Sequence, residues 1–306
     1  MDSLSKRSKD DWNRRLELDY RLFMSDGVDS DRQMWDTGER DFLLLTSNVN
    51  MDGATNHTAL EVGCGVGRLM RPASHIYKKV VGVDISEKAI SIAKKLLGKG
   101  NTELHCTDGL SLSPLEDDFF DFAYSYATFG VIPAKVFAAN LLELNRVLKP
   151  EATCVIQIYL GTEQETVLED SLAIRSYERE RFLAAVNLAG FQPLVTRELF
   201  HPLGDISNHE EGMVAHTSVL RKVARPNSSI EQIEKKLLSK PEVGADNKWP
   251  GSTLEYLLSI NRAQDLINQG KLEEAKQIFL FAEDNYKDSD KSIPQIVDEI
   301  NKNLET

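Results

Sequence analysis

The sequence predicts an α/β fold in which helices cover a doubly wound, mostly parallel sheet. Three observations support this prediction. Short apolar runs alternate with segments of helical periodicity between about residues 58 and 160. A glycine-rich turn at residues 63–67 directly follows the first apolar run, and acidic residues stand near the ends of the next two runs. Because open α/β sheets bind ligands at the carboxyl ends of their strands, the same pattern predicts a ligand site.

The first motif, at residues 59–68, reads ALEVGCGVGR and predicts a buried strand, a tight turn and a helix that opens near Leu69. Glycine lacks a Cβ and tolerates positive φ, so a ligand can lie directly against such a turn. The N-terminus of the next helix would direct free N–H groups at that ligand. A dinucleotide site needs a third glycine where Arg68 stands. Here the glycines fall at positions 63, 65 and 67, after the acidic Glu61.

The second and third strands each lead to an acidic residue. Residues 79–84 predict a strand that ends in Asp84, 21 residues after Gly63. A carboxylate at that distance is placed to accept hydrogen bonds from both hydroxyls of a ribose, although taken alone it also fits a solvated strand end. The third strand, at residues 102–106, is followed by Asp108.

The remaining elements continue the alternation. A fourth strand at residues 119–125 leads into Tyr126, and a helix from about Pro133 precedes a fifth strand at residues 153–159. A helix at residues 177–189 comes next. Residues 191–199 and 213–222 then predict the last two strands.

In this order, the glycine turn, Asp84, Asp108 and the phrase RVLKP at residues 146–150 resemble the motifs of the class I S-adenosylmethionine-dependent methyltransferases. The resemblance covers roughly residues 35–222. It implies a Rossmann-like, seven-stranded sheet whose last strand is antiparallel. Glu151 and Ala152 stand where the family usually has two glycines.

The resemblance implies S-adenosyl-L-methionine as cofactor and S-adenosyl-L-homocysteine as product. Glu61 would face the positive groups of the cofactor, Asp84 its ribose and Asp108 its adenine amino group. Arg68 would bind the cofactor carboxylate or pair with a surface acid. The full set of implied cofactor-binding residues is Glu61, Gly63, Cys64, Gly65, Gly67, Arg68, Asp84, Ile85, Asp108, Gly109, Ser125 and Tyr126.

Methyl transfer is an in-line displacement that requires alignment of the reactants and exclusion of water. A base is needed only where the acceptor must lose a proton. The loop between the last two strands contains His201, our first candidate, with His209 and Asp205 behind it. A surface or loop-anchoring role is the alternative for each histidine. The same loop with Glu211 is spaced too loosely for a metal site, and we predict none.

Composition narrows the class of acceptor and the compartment. The net charge of −12 argues against a nucleic-acid substrate, because phosphate binding needs a basic footprint. Three cysteines without a CxxC pair, no apolar signal core and no run near the ~20 apolar residues of a membrane span predict a cytoplasmic protein. We therefore expect a small-molecule or glycan-like acceptor.

We divide the chain into an N-terminal helical cap (1–50), a methyltransferase domain (51–225) and a C-terminal helical region (226–306). Residues 1 to about 10 are polar, and we expect them to lack order. Trp35, in the second cap helix, would touch the methionine end of the cofactor or anchor the cap. A hairpin about Gly270 resembles one tetratricopeptide repeat. Residues 226–306 would pack on their own catalytic domain or form a homodimer or partner contact.

Two other functions compete with methyl transfer. A non-catalytic S-adenosylmethionine-binding or scaffold protein would use its C-terminal helices as the working surface. A nicotinamide-dependent dehydrogenase would share the fold, but Arg68 at the third glycine position counts against it.

Overall fold

The structure is a computed structural model that describes residues 3–25, 28, 30–164, 166–199, 212–244, 253–285 and 293–304. Its strands are β1 Thr58–Val62, β2 Lys79–Asp84, β3 Thr102–Cys106, β4 Phe120–Ser125, β5 Leu148–Gly161, β6 Ser176–Tyr177, β7 Phe191–Glu198 and β8 Met213–Lys222. Its α-helices are α1 Ser3–Leu18, α2 Tyr20–Met24, α3 Asp31–Thr46, α4 Met70–Ser74, α5 Glu87–Leu97, α6 Ala134–Val147, α7 Arg179–Leu188, α8 Ile230–Leu237, α9 Thr253–Asn268, α10 Leu272–Asn285 and α11 Ile293–Leu304.

The strands form one sheet in the order β3-β2-β1-β4-β5-β8-β7. Strands β1 to β5 are mutually parallel, and β8 runs antiparallel between β5 and β7. The predicted α/β class and antiparallel last strand are therefore confirmed. The two-residue strand β6, which pairs with β5, was not expected. Strand order reverses between β1 and β4, and the glycine turn leaves the sheet at that switch point.

The central strands are apolar because both faces of the sheet are covered. Leu60 and Val62 of β1 belong to one buried cluster, with Val81 and Val83 of β2. Ala59 of β1 and its register partner Val80 belong to a second cluster on the other face. Alternate residues of a strand point to opposite faces, so each strand contributes to both cores.

The start of β5 retains a left-handed turn without a glycine. Glu151 has a φ of 64°, which favours glycine and costs other residues free energy. Its side chain is exposed. The backbone at position 151 is therefore left-handed even though a glutamate stands there instead of a glycine.

The helices of the C-terminal region pack in two different places. Helix α8 packs against α6 and α7, and its Ile233 and Leu237 belong to the main core of the sheet. Helices α9, α10 and α11 form their own apolar cluster, which we call the C-terminal bundle. The apolar stripe of α8 thus packs on the sheet domain and not on the C-terminal bundle, while the division of the chain at residue 226 stays a prediction.

The N-terminus is helical from Ser3, where the polar sequence led us to expect no order. Leu16 of α1 joins a buried cluster with Met34 and Val66. Asn13 Oδ1 accepts hydrogen bonds from Ser86 Oγ (2.7 Å) and Lys88 N (3.2 Å) at the start of α5. These tertiary contacts stabilise a helix whose composition alone is too polar to predict one.

Among the residues described, no helix is both long enough and apolar enough to cross a bilayer. The three cysteines are free thiols, two of them buried.

Replacement of Glu151 by glycine should raise the free energy of unfolding by up to about 1 kcal/mol, because glycine adopts positive φ without the Cβ penalty. Equilibrium denaturation measures the change. The matched control is Lys235→Gly, at an exposed position inside α8, which should instead destabilise by about 1 kcal/mol. Equal losses in both variants would contradict a left-handed Glu151.

Candidate active site

A cleft opens at the carboxyl ends of β1, β2 and β4, on the side of the switch point. The glycine turn forms its floor, and Asp84 and Ile85 follow from β2. Tyr126 and the residues after it line the wall beyond β4. The cleft therefore lies where parallel α/β sheets bind their ligands.

Each glycine of the turn has a positive φ, which favours glycine, and a close neighbour. Gly63, Gly65 and Gly67 have φ of 74°, 51° and 86°. A Cβ on Gly63 would lie 2.1 Å from Thr128 Oγ1, and a Cβ on Gly65 would lie 2.7 Å from Met24 Sδ. These approaches hold the post-β4 loop and helix α2 directly against the turn.

Asp84 is connected to the turn through backbone donors. Its Oδ2 accepts from Gly65 N at 2.9 Å, and its Oδ1 accepts from Ser86 N at 2.8 Å. Burial raises the pKa of Asp84, whereas these N–H groups oppose the shift. A carboxylate has about four acceptor positions, so each oxygen retains capacity for a ligand hydroxyl.

Glu61 is the unusual group of the cleft. Its side chain is only 2% exposed, and its Oε2 has no hydrogen-bond partner among the residues that the structure describes. Tyr124 lies nearby, but its hydroxyl does not meet hydrogen-bond geometry. Burial raises the pKa of Glu61 to about 8, and the nearby Tyr124 hydroxyl and, less strongly, the Arg68 charge offset this only in part. A buried carboxyl without a partner is costly, so this position suits a cationic ligand group.

Arg68 is engaged by the N-terminal cap. Its Nη1 pairs with Oδ2 of Asp41, a buried residue of α3, and donates to Thr37 Oγ1 at 3.4 Å. A Cβ on Gly38 would lie 2.3 Å from Arg68 O, so α3 packs tightly on the turn. Of the two alternatives for Arg68, the structure shows pairing with an acid, and that acid is buried rather than on the surface.

Two predicted cofactor residues lie beside the cleft without lining it. Asp108 Oδ1 accepts from Leu110 N (2.9 Å) and Ser111 N (2.8 Å), and so orders the loop after β3. Ser125 Oγ donates to Val62 O at 2.8 Å and links β4 to β1. Nine of the other ten predicted cofactor residues line the cleft: Glu61, Gly63, Cys64, Gly65, Arg68, Asp84, Ile85, Gly109 and Tyr126.

The tenth, Gly67, contacts α5 instead, since a Cβ there would lie 2.7 Å from Leu97 Cδ1. Trp35 packs in the apolar cluster of the cap, which is its anchoring alternative, with Arg71 over its ring. The candidate bases His201 and His209, like Asp205 and Glu211, lie outside the described residues. Within the described part of the chain, no group of three or more His, Cys, Asp or Glu could hold a metal ion.

Sequence reasoning missed several lining residues. Asn140 of α6 lines the cleft and donates from Nδ2 to Gly109 O at 2.8 Å, which fixes the loop after β3. Ser5, Ser8 and Trp12 line it from α1. Their spacing places them on one helical face, and this spacing is the feature of the sequence that could have identified them.

Comparisons with known proteins identify the family of the domain that contains the cleft. Residues 60–156 match the family model described as a methyltransferase domain. Demethylmenaquinone methyltransferase of Staphylococcus saprophyticus is 36% identical over 121 residues, covering 38% of this chain and 49% of that protein. Thiocyanate methyltransferase 1 of Brassica oleracea is 26% identical over 148 residues, covering 47% of this chain and 64% of that protein. The chain thus spans less than two thirds of either curated relative.

Two solved structures share the fold. The [4+2]-cyclase SpnF has a TM-score of 0.55 and 19% identity, with 72% of this chain and 97% of that chain covered. Geranyl diphosphate C-methyltransferase from Streptomyces coelicolor A3(2) has a TM-score of 0.54 and 12% identity, with 72% and 99% covered. At these identities the likeness concerns the fold alone.

Residues 60–156 are therefore a methyltransferase domain, and the fold around them is that of the class I S-adenosylmethionine-dependent methyltransferases. The methyltransferase family predicted from the glycine turn and the strand-end acids is confirmed for residues 60–156. The tetratricopeptide likeness of the C-terminal hairpin stays a prediction.

Alanine at Gly63 should lower the free energy of unfolding by about 2–4 kcal/mol, since it combines backbone strain with overlap on Thr128. The control is Gly270→Ala, because Gly270 has a matching φ of 73° but open space around its Cβ position. That variant should lose about 1–2 kcal/mol. Chemical denaturation compares the two, and equal losses would show that the approach of Thr128 is relaxed in solution.

Proposed function

We propose that this protein transfers a methyl group from S-adenosylmethionine to a small-molecule acceptor by in-line displacement. The observation that carries the proposal is the buried carboxyl of Glu61, which lies at the glycine turn close to Asp84 and whose Oε2 has no hydrogen-bond partner among the described residues. A ligand that combines positive charge with a ribose would satisfy both acids. A pyrophosphate-containing dinucleotide would instead bring negative charge to Glu61.

The residues of the cleft fit this cofactor in separate ways. Glu61 would face its ammonium and sulfonium, and Asp84 would accept from its ribose hydroxyls. Ile85, Gly109 and Tyr126 would contact the adenosine portion. When bound, S-adenosylmethionine supplies the methyl group and its thioether leaving group. The protein aligns the acceptor and excludes water, and both effects lower the barrier of a displacement.

The wall of the cleft indicates what kind of acceptor fits. Trp12, Phe23, Phe129, Ile132 and Leu168 give much of the lining an apolar character. Apolar lining favours an acceptor with an extended apolar surface over the glycan-like alternative. The two curated relatives are named for small acceptors, demethylmenaquinone and thiocyanate, which supports the small-molecule class. His201, with His209 behind it, stays our candidate base for an acceptor that must lose a proton.

The second candidate function is that of a protein that binds S-adenosylmethionine but transfers no methyl group, and one fold neighbour shows that this fold is not limited to methyl transfer. SpnF shares this fold and is named a [4+2]-cyclase, so the fold is compatible with a different use of the cleft. A non-catalytic S-adenosylmethionine-binding protein, acting through its C-terminal helices, would bind the cofactor without turning it over. A homodimer or partner contact through residues 226–306 belongs to this alternative.

Release of S-adenosylhomocysteine during a screen of small apolar acceptors tests the proposal. Asp84→Asn should raise the KM for S-adenosylmethionine by about 10–100-fold, because a charge-assisted hydrogen bond to the ribose is lost. The loss of affinity should shrink for an analogue without ribose hydroxyls. Glu180→Gln, at an exposed position of α7, is the matched control.

The outcomes separate the two functions. Binding of S-adenosylhomocysteine without turnover of any acceptor would favour the non-catalytic alternative. Failure to bind S-adenosylhomocysteine at high micromolar concentration would contradict both.

Cofactor binding should release about one proton near pH 7. Glu61, with a pKa of about 8, is mostly protonated in the free protein, and an adjacent cation favours its ionised form. Affinity should therefore rise with pH and level off above about pH 8. Calorimetry with S-adenosylhomocysteine in buffers of different ionisation enthalpy counts the protons. Glu61→Gln should abolish the release, and a buffer-independent enthalpy in the wild type would refute it.

A further inference from the structure

The helices of the N-terminal cap form part of the cleft wall. Ser5, Ser8 and Trp12 of α1 line the cleft, as do Phe23 and Met24 of α2. These residues are far from the glycine turn in sequence, so their place over the cleft depends on what holds the two helices there.

A buried arginine connects these lining residues. Arg15 is 1% exposed, and its guanidinium carbon lies 4.8 Å from the ring centre of Trp12 and 5.9 Å from that of Phe23. Both rings line the cleft. A planar guanidinium stacks favourably on aromatic faces, so the position of Arg15 affects both rings.

The carboxylate partner of Arg15 comes from the other end of the chain. Glu255, in the first turn of α9, accepts from Arg15 Nη2 at 2.7 Å through Oε2, and its Oε1 lies 2.9 Å from Arg14 Nη1. Glu255 is 2% exposed. Burial raises its pKa, but the two guanidinium groups outweigh this and lower the pKa below its ordinary value. The carboxylate is therefore ionised and fixed between two arginines.

The C-terminal bundle, α9 to α11, also contacts the cap through apolar groups. Leu18 of α1 packs on the apolar cluster of the bundle, and Arg14 lies over the ring of Phe281 at 5.1 Å. Helix α1 also holds the start of α5 through Asn13, and Asp11 Oδ2 accepts from Ser171 Oγ at 2.8 Å. Helix α1 is thus clamped between the bundle and the rim of the cleft.

We propose that Glu255 is a positioning residue for ligand retention, through which the C-terminal bundle holds Arg15, Trp12 and Phe23 over the cleft. The identity of the ligand rests on the proposed function, whereas the clamp rests on the contacts above. Loss of the carboxylate leaves Arg15 buried without its counter-charge, so the Trp12 and Phe23 rings beside Arg15 lose a fixed neighbour and hold a bound ligand less firmly. The bundle then has a role in the same chain without a partner protein.

The test measures dissociation of S-adenosylhomocysteine from the full chain by stopped-flow tryptophan fluorescence. Glu255→Gln should dissociate about tenfold faster than the wild type. Glu255→Asp keeps the charge but shortens its reach, and it should show a smaller increase in the same direction. Glu274→Gln removes an exposed charge from α10 of the same bundle and should leave the rate unchanged.

Thermal unfolding of each variant provides the second measurement, with rates taken well below the transition. Unfolding at lower temperature with an unchanged dissociation rate would mean that the pair only stabilises the interface, and would overturn the proposal. An equal increase in Glu274→Gln would overturn it too. If Glu255→Gln does not fold, Glu255→Asp decides alone. A wild type that binds no S-adenosylhomocysteine would refute the proposed function instead.

Discussion

The close packing around the glycine turn is the constraint on which the rest of the structure depends. The turn leaves β1 at the switch point of the sheet, with Thr128 against Gly63 and Met24 against Gly65. Because a side chain at these positions would overlap its neighbours, the post-β4 loop and the N-terminal cap can approach the same few backbone atoms. The cleft forms where the post-β4 loop and the cap meet a turn that has no side chains at its three glycines.

The carboxylates in and around the cleft are held by backbone N–H groups or by arginines, with one exception. Asp84 is held by backbone N–H groups, Asp41 pairs with Arg68, and Glu255 lies between two arginines. These contacts offset at least part of the desolvation of each acid. Glu61 is the exception among these groups, with an oxygen that has no partner in the described part of the chain. It is this oxygen that the proposed function pairs with a cationic ligand group.

Sequence predicted the parts of the molecule that local chemistry determines. A glycine turn and acids at strand ends are set by backbone geometry, so the sheet and the floor of the cleft followed from them. Packing between distant segments decided the rest. The apolar stripe of α8 suited two neighbours, and the polar start of α1 gave no sign of a helix. Likewise, nothing near Arg68 in sequence identified Asp41 as its partner, 27 residues earlier.

The pair between Arg15 and Glu255 joins positions 240 residues apart. A ribosome therefore makes the glycine turn and the whole sheet before it makes the residue that pairs with Arg15. Until α9 emerges, the nascent chain can assemble the floor of its cleft but not this closure of the wall. Slow dissociation of a ligand would thus be the last property that the growing chain acquires. A chain truncated before α9 would form the floor of the cleft but would lack the contacts that hold α1 over it.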